Sequence, residues 1–334
     1  MPKKKGDEME MVENAKGALE STLKLREGEN VLVVIDREHL TIGAAFHKAA
    51  EEIGAISEIF ILPEGKRPLY DVPPYLSEML EGRDVLVNAL ASRSEETPFR
   101  VKLIKAGIAI GARIGHGPGI TESMMTEGPM SIDFGAVAQI GRSLMASFDK
   151  ADEVHVTAPA GTDLRFSIGG RDFQTDMEIE AGHMGNLPPG EIWCAPVEDS
   201  AEGIVVSDGS VGDLGAVPSP LSIRVGGGKI TGLSCDDAGF LGKVKELTSV
   251  DEMASVIGEF GIGINPKARI TGNLLEDEKA GRTAHIAFGN NETMPGGKNG
   301  SKTHRDFLFH RPTIEVRYAD GLMKTVMKEG DLVA

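Results

Sequence analysis

The sequence predicts an α/β domain on a mostly parallel sheet followed by an α+β, mostly antiparallel domain, and three observations carry that prediction. Apolar, strand-like runs alternate with helical stretches up to about residue 150. Beyond Asp149 the chain turns to short strands punctuated by Gly, Pro and Asp. At 334 residues, 40% of them hydrophobic, it is long enough to bury a core in each of two domains. The boundary falls in this reading between residues 1–150 and 151–334.

In the first domain, 30–35 (Asn-Val-Leu-Val-Val-Ile) reads as a strand, 41–53 as a helix and 56–62 as a second strand, which together make a βαβ unit. A strand over 84–89, a helix over 98–106, a strand at 108–110, a glycine-rich turn at 115–119 and a helix near Thr121 follow. Apolar strands separated by helices imply a Rossmann-like sheet covered on both faces. The turn after the first strand, Asp36-Arg37-Glu38-His39, argues against a dinucleotide site, because it offers acids where a pyrophosphate needs glycines and free backbone N–H groups.

An amphipathic helix over 134–148 leads into the second domain. Short strands are expected at 152–159, 164–168, 192–195, 203–206, 221–225, 229–233, 285–288 and 313–318, with Gly226-Gly227-Gly228 as a hairpin turn. One helix is expected among them, from Ser249 through a capping box with Glu252 to Glu259-Phe260, ended by Gly261.

Acidic residues outnumber basic ones by 51 to 35, a formal charge of -16, which repels a phosphate backbone and excludes nucleic acid as the expected partner. The one basic cluster is Lys3-Lys4-Lys5. Gly6-Asp7-Glu8 follows it in place of an apolar stretch, and no run of eighteen apolar residues occurs, so the expectation is a soluble, cytoplasmic chain with no membrane partner. The two cysteines, Cys194 and Cys235, are expected as free thiols.

The chemistry concentrates in the last third. Glu191, Glu259, His285, His304 and Asp306 are carboxylates and imidazoles in the mixture that holds one or two divalent metals. His304-Arg305-Asp306 is the sharpest piece, since residues two apart on an extended strand point to the same face and can reach one ion. Glu278 reads as a neighbouring carboxylate and His310 as a rim or structural group. His183 reads as solvated, and Thr162 with Asp163 as a turn closed by side-chain hydrogen bonds.

Several segments resemble the thermophilic aminopeptidase family, the aminopeptidase T or M29 group of dinuclear metallopeptidases. Ala158-Pro159-Ala160-Gly161-Thr162-Asp163-Leu164, Asn186 to Glu191 with Ala195-Pro196, Glu259 to Pro266, Glu276-Asp277-Glu278-Lys279 before His285 to Gly289, and His304-Arg305-Asp306 follow the family's order. The resemblance implies two divalent ions (zinc, cobalt or manganese) on Glu191, Glu259, His285, His304 and Asp306. It implies Glu259 as the bridging and catalytic carboxylate, a short peptide as substrate, and a homodimer formed through the second domain. One position departs from the pattern: the family's Tyr after the ligand His is absent, and the stretch here reads Gly289-Asn290-Asn291-Glu292-Thr293-Met294. Asn290, Asn291, Thr293 and the backbone of 289–297 are the candidate replacement donors, with Glu292 turned outward or acting as a proton carrier. A related branch of the same fold group holds one Fe(II) and opens hydroxylated pyridine rings with oxygen, and His285, His304 and Asp306 would be its facial triad.

Overall fold

The computed structural model describes residues 5–333, Lys5 by its backbone alone; Lys3 and Lys4 of the basic triplet lie outside them. The elements run α1 (Lys5–Ser21), β1 (Asn30–Ile35), α2 (Leu40–Ile53), β2 (Ile56–Ile61), α3 (Pro74–Met79), β3 (Val85–Leu90), α4 (Thr97–Ala109), β4 (Arg113–Pro118), α5 (Glu122–Met125) and α6 (Phe134–Phe148). Next come β5 (Ala151–Thr157), β6 (Asp163–Ser167), β7 (Gln174–Thr175), β8 (Met184–Asn186), β9 (Glu191–Cys194), β10 (Glu202–Ser207), β11 (Ser210–Val211), β12 (Gly215–Ala216), β13 (Leu221–Gly226) and β14 (Lys229–Ser234). The chain ends with α7 (Ala238–Leu247), β15 (Ile257–Gly263), α8 (Leu274–Asp277), β16 (Thr283–Gly289), β17 (His304–His310), β18 (Thr313–Tyr318), β19 (Met323–Lys328) and β20 (Asp331–Leu332).

Two compact units result, one of residues 1–138 and 176–190, the other of 139–175 and 191–334. The sequence reading cut the chain once, at 150; the contacts cut it at 138 and return 176–190 to the first unit because β8 pairs with β4.

The first unit is a parallel sheet in the order β2-β1-β3-β4-β8. Its central strands are apolar on both faces because both are covered. Leu32, Val34, Leu86 and Leu90 pack with Leu76, Phe99 and Leu103 of α3 and α4. On the other face α2 lies so close to β1 that a Cβ on Gly43 would meet the Ile35 side chain at 2.7 Å. The buried positions Ile42, Ala45, Phe46, Ala49 and Ala50 of α2 recur at helical spacing, and Gly54, at φ 89°, ends the helix.

Two expectations fail here. Residues 108–110 belong to the end of α4 and its cap rather than to a strand, and the glycine-rich segment 115–119 is largely strand β4 rather than a turn. Gly115 and Gly117 serve close packing: a Cβ on either would lie 2.4 Å from the Leu187 side chain or 2.9 Å from the Leu187 carbonyl oxygen. Helix α1 was not anticipated, although its buried Met11, Ala15, Ala18 and Leu19 recur at helical spacing.

Beyond the carboxyl ends of β1 and β3, where doubly wound sheets receive ligands, the crevice is closed by a buried ionic network. Asp36 accepts hydrogen bonds from the Ala91 amide at 2.7 Å and from Arg67 Nη1 at 2.9 Å. Arg67 Nε donates to Glu96 Oε1 at 2.9 Å, and Glu96 also accepts from the Leu69 amide. Burial would raise the Asp36 carboxyl, but His39, the Ala91 amide and Arg67 together hold it well below the usual range.

The second unit holds two antiparallel sheets, one ordered β14-β13-β10-β6-β5-β18-β19-β20 and the other β12-β11-β17-β16-β15-β9-β7. Phe166 of the first sheet and Phe260 of the second meet edge to face at 5.0 Å, and Phe148 stacks on Phe173 at 4.2 Å beside them. The hairpin at 226–228 forms as expected. The helix expected from Ser249 to Phe260 does not: 249–256 is turns, 257–263 is a strand, and the helix of this region is α7, capped by Asp237. Gly258, Gly261 and Gly263 disfavour helix and suit a strand approached closely by its neighbours. Cys194 and Cys235 are free. No helix among the described residues is long and apolar enough to cross a membrane.

Replacing Arg67 by Met leaves buried Glu96 without its ion-pair partner and weakens the pairing of Asp36, which keeps His39 and the Ala91 amide, and is expected to lower the unfolding free energy by about 3–5 kcal/mol at neutral pH, read by urea titration. Because Asp36 and Glu96 both have depressed folded-state pKa values, their stabilisation is present above the unfolded carboxylate range and fades as pH falls through it. The gap between Arg67→Met and the native chain should therefore narrow below about pH 4; a gap that does not depend on pH contradicts this account.

Candidate metal centre

All five side chains singled out from the sequence stand on one face of the sheet that contains β9, β15, β16 and β17. The register shows it: Glu191 lies opposite Gly263, Gly261 opposite His285, and Ala287 opposite Asp306, while strand alternation puts Glu259 on the face of Gly261 and Gly263, and His304 on that of Asp306. Gly261, Gly263 and Ala287 on this face are small and clear the space that the polar groups occupy, while Trp193 of β9 lies opposite Gly261. Gly261 is the clearest case. A Cβ there would lie 2.0 Å from His285 Nε2, so the imidazole can extend over β15 only because that residue has no side chain. On the opposite face of β15, Phe260 anchors the strand in the aromatic core.

Within this clearing Glu259 is central. Its Oε1 lies 3.3 Å from His285 Nε2 and its Oε2 3.0 Å from His304 Nε2. His285 Nε2 is 3.6 Å from Glu191 Oε2, and His304 Nε2 is 3.4 Å from Asp306 Oδ1. Two groups with all ligand atoms within 4.8 Å result, Glu191–Glu259–His285 and Glu259–His304–Asp306, and Glu259 belongs to both. His304 Nδ1 donates to the Asn290 carbonyl at 2.7 Å, which fixes the ring and leaves Nε2 directed at the carboxylates. His285 is fully buried, whereas the side chain of His304 is 29% exposed and marks the solvent side of the centre.

The electrostatics show a site that draws positive charge. Burial would depress His285, yet the Glu259 hydrogen bond and the charges of Glu259, Glu191 and Asp306 push it up to about 9. Burial likewise opposes the charging of His304, but Asp306 and Glu259 carry it well above its ordinary value. Conversely, Glu259 is held far below the usual carboxylate range by the two imidazoles despite its burial. Protons on imidazoles here compensate clustered buried carboxylates, a compensation that divalent cations would supply more strongly. The buried His, Glu and Asp groups are thus consistent with divalent metal binding.

Sequence reasoning missed Lys279. Its side chain is fully buried, bonds Glu191 Oε1, and donates to Glu278 Oε2 at 3.0 Å. Glu278 thereby takes the neighbouring role expected of it, and its carboxyl is raised by burial.

The candidate replacement donors do not converge on the centre. Asn291 is buried, with Nδ2 donating to Glu198 and the Gly258 carbonyl and Oδ1 accepting from the Asn299 amide at 2.7 Å. Asn290 Nδ2 donates to the Ser301 carbonyl at 3.1 Å. Glu292 and Thr293 are exposed. His310 is held by Asp208 at 3.1 Å, His183 is exposed, and Thr162 links its turn to Val206.

Comparison with known proteins gives one family and two kinds of relative. The family described as thermophilic metalloprotease (M29) matches residues 139–332. The 2,5-dihydroxypyridine 5,6-dioxygenase of Pseudomonas putida is 29% identical over 202 residues, 55% of this chain and 55% of that protein. Aminopeptidase AmpS of Bacillus subtilis is 25% identical over 175 residues, 46% of this chain and 42% of that protein. The matched stretches thus span about half the length of these curated relatives. Among solved structures, the Pseudomonas putida 2,5-dihydroxypyridine dioxygenase is similar with a TM-score of 0.72 at 20% identity, covering 98% of each chain. Wild-type AmpT from Thermus thermophilus is similar with a TM-score of 0.71 at 17% identity, covering 98% of this chain and 99% of that one. At these identities the structural likeness speaks for the fold.

Gly261→Ala tests whether cleared space makes the centre. The imidazole of His285 must leave its position, and the variant should unfold about 1–3 kcal/mol more easily and lose most of the thermal stabilisation that added Mn²⁺ gives the native chain. An unchanged Mn²⁺-induced shift in melting temperature contradicts the assignment.

Proposed function

This chain belongs to the thermophilic metalloprotease (M29) family, and from that premise we propose that it is a two-metal aminopeptidase that releases N-terminal residues from short peptides. The observation that carries the reading is the pair of ligand groups sharing Glu259. Glu191, Glu259, His285, His304 and Asp306 would hold two divalent ions, zinc, cobalt or manganese, which when bound supply Lewis-acid polarisation and a water of lowered pKa. Glu259 is the catalytic carboxylate. Its two oxygens face different imidazoles, so it stands where it can accept the proton of an attacking water. Asn290 keeps the His304 ring oriented through its carbonyl. His285, buried and enclosed by its strand neighbours, excludes water from the inner side, which leaves the His304 side for the substrate. The reading includes a homodimer formed through residues 151–334.

A second reading has its own support. The relative at 29% identity is a ring-opening dioxygenase, the family Tyr is absent, and no side chain at 290–293 replaces it near the centre. In that case one Fe(II) would sit on His285, His304 and Asp306. Against it stands the geometry: among the described residues these three do not form a group with all ligand atoms within 4.8 Å, whereas both groups that do contain Glu259.

Turnover assays on the metal-stripped chain separate the readings. Reloaded with zinc, cobalt or manganese, it is expected to hydrolyse unblocked dipeptides slowly, with a kcat about 10² to 10³ below that of a relative carrying the oxyanion donor, and Glu259→Gln should abolish the activity. Oxygen uptake with 2,5-dihydroxypyridine under Fe(II), without hydrolysis under any metal, overturns the proposal in favour of the dioxygenase. Light scattering at micromolar concentration should give a dimer; a monomer contradicts that part.

A further inference from the structure

We infer that Lys279 makes the two cation positions unequal, so that Glu259–His304–Asp306 takes a divalent ion tightly while Glu191–Glu259–His285 takes the second only weakly. The inference rests on the two-ion reading above and adds to it which half fills first and which residue decides.

The warrant is the placement of one buried ammonium. Lys279 has no exposed side-chain surface, and a charge so placed is tolerable only when it is paired. It pairs with Glu278 and with Glu191, and Glu191 belongs to the Glu191–Glu259–His285 group alone. Glu191 Oε1 is therefore already engaged by a cation, and its other oxygen faces His285 at 3.6 Å. An ion arriving at that end must share Glu191 with an ammonium and approach a fixed positive charge at close range.

The other end differs. Asp306 and the Oε2 of Glu259 face His304 at 3.4 and 3.0 Å, with no ammonium bonded to either carboxylate among the described contacts. The nearby guanidinium of Arg305 is turned to Asp213 at 3.1 Å and does not compete for Asp306. Lys279 thus occupies a ligand oxygen in the Glu191 half and in that half alone among the described contacts. Repulsion between an ammonium and a divalent ion a few ångströms away amounts to several powers of ten in affinity at the effective dielectric of a protein, so a contrast of about a hundredfold survives considerable screening.

Calorimetric titration of the metal-stripped chain with Mn²⁺ alone tests this, with circular dichroism confirming that each variant is folded. The native chain should bind one Mn²⁺ tightly and a second about a hundredfold more weakly. Lys279→Met should strengthen the second site by about tenfold or more and change the first by less than about threefold. Glu278→Gln should act in the opposite direction, because Lys279 then loses one carboxylate partner and bears more heavily on Glu191, and it carries the test if Lys279→Met does not fold. One ion in the native chain and two in Lys279→Met upholds the role of Lys279 while removing the two-ion reading for the native protein. Two equal sites in the native chain overturn the inference while leaving that reading intact. A second site that responds to neither substitution, or a single site in every variant, also overturns it.

Discussion

The carboxylate of Glu259, buried between two imidazoles, is the interaction on which the rest of the centre depends. A buried carboxylate is tolerable only when cations or donors surround it. Here the surrounding groups come from neighbouring strands of one antiparallel sheet, and the sheet must leave room for them. It does so with glycine and alanine. Gly261 yields its side-chain volume to His285, while Phe260, one residue away, fixes the same strand from the opposite face through the aromatic contact with Phe166. Strand alternation thus lets β15 be a core strand and a site strand at once.

Charge imposes the second constraint. Glu191, Glu259, Glu278 and Asp306 bring four acids into a small buried volume, and the protein offsets them unequally, with a permanent cation at Lys279 and titratable ones at His285 and His304. The imidazoles lie between the carboxylates, whereas the Lys279 ammonium bonds Glu191 and Glu278 from one side. On the proposed reading, this difference sets where metal chemistry is strongest. The α/β unit makes the contrary use of a buried charge cluster: Asp36, Arg67 and Glu96 satisfy one another and fill the crevice that such sheets ordinarily keep for a ligand.

Much of this was legible in the sequence, for identifiable reasons. The central parallel strand β1 is a near-continuous apolar run because both faces are covered, and the 3.6-residue period of α2 and α6 is plain. His304 and Asp306 stand on one face of β17, as strand alternation, a local rule, requires. What failed was tertiary. Ser249 with Glu252 imitates a capping box, and only tertiary approach explains the strand glycines: the Gly289 carbonyl at Gly258, His285 at Gly261 and the Ala280 carbonyl at Gly263. Lys279 sits in an acidic run, Glu276-Asp277-Glu278, that looks solvated; its burial depends on β9 delivering Glu191 from 88 residues earlier in the chain. In α1 the buried Met11, Ala15, Ala18 and Leu19 carried a readable period, masked by the charged residues between them.

Relatives of two chemistries share this fold, so the metal count carries more weight than overall likeness. The most direct measurement is a crystal structure of the chain loaded with Mn²⁺, with the ions located by anomalous scattering. The account predicts two peaks about 3.5–4 Å apart, both within bonding distance of Glu259, the more strongly occupied one at His304 and Asp306. A single peak held by His285, His304 and Asp306, with Glu191 and Glu259 turned away, would contradict it.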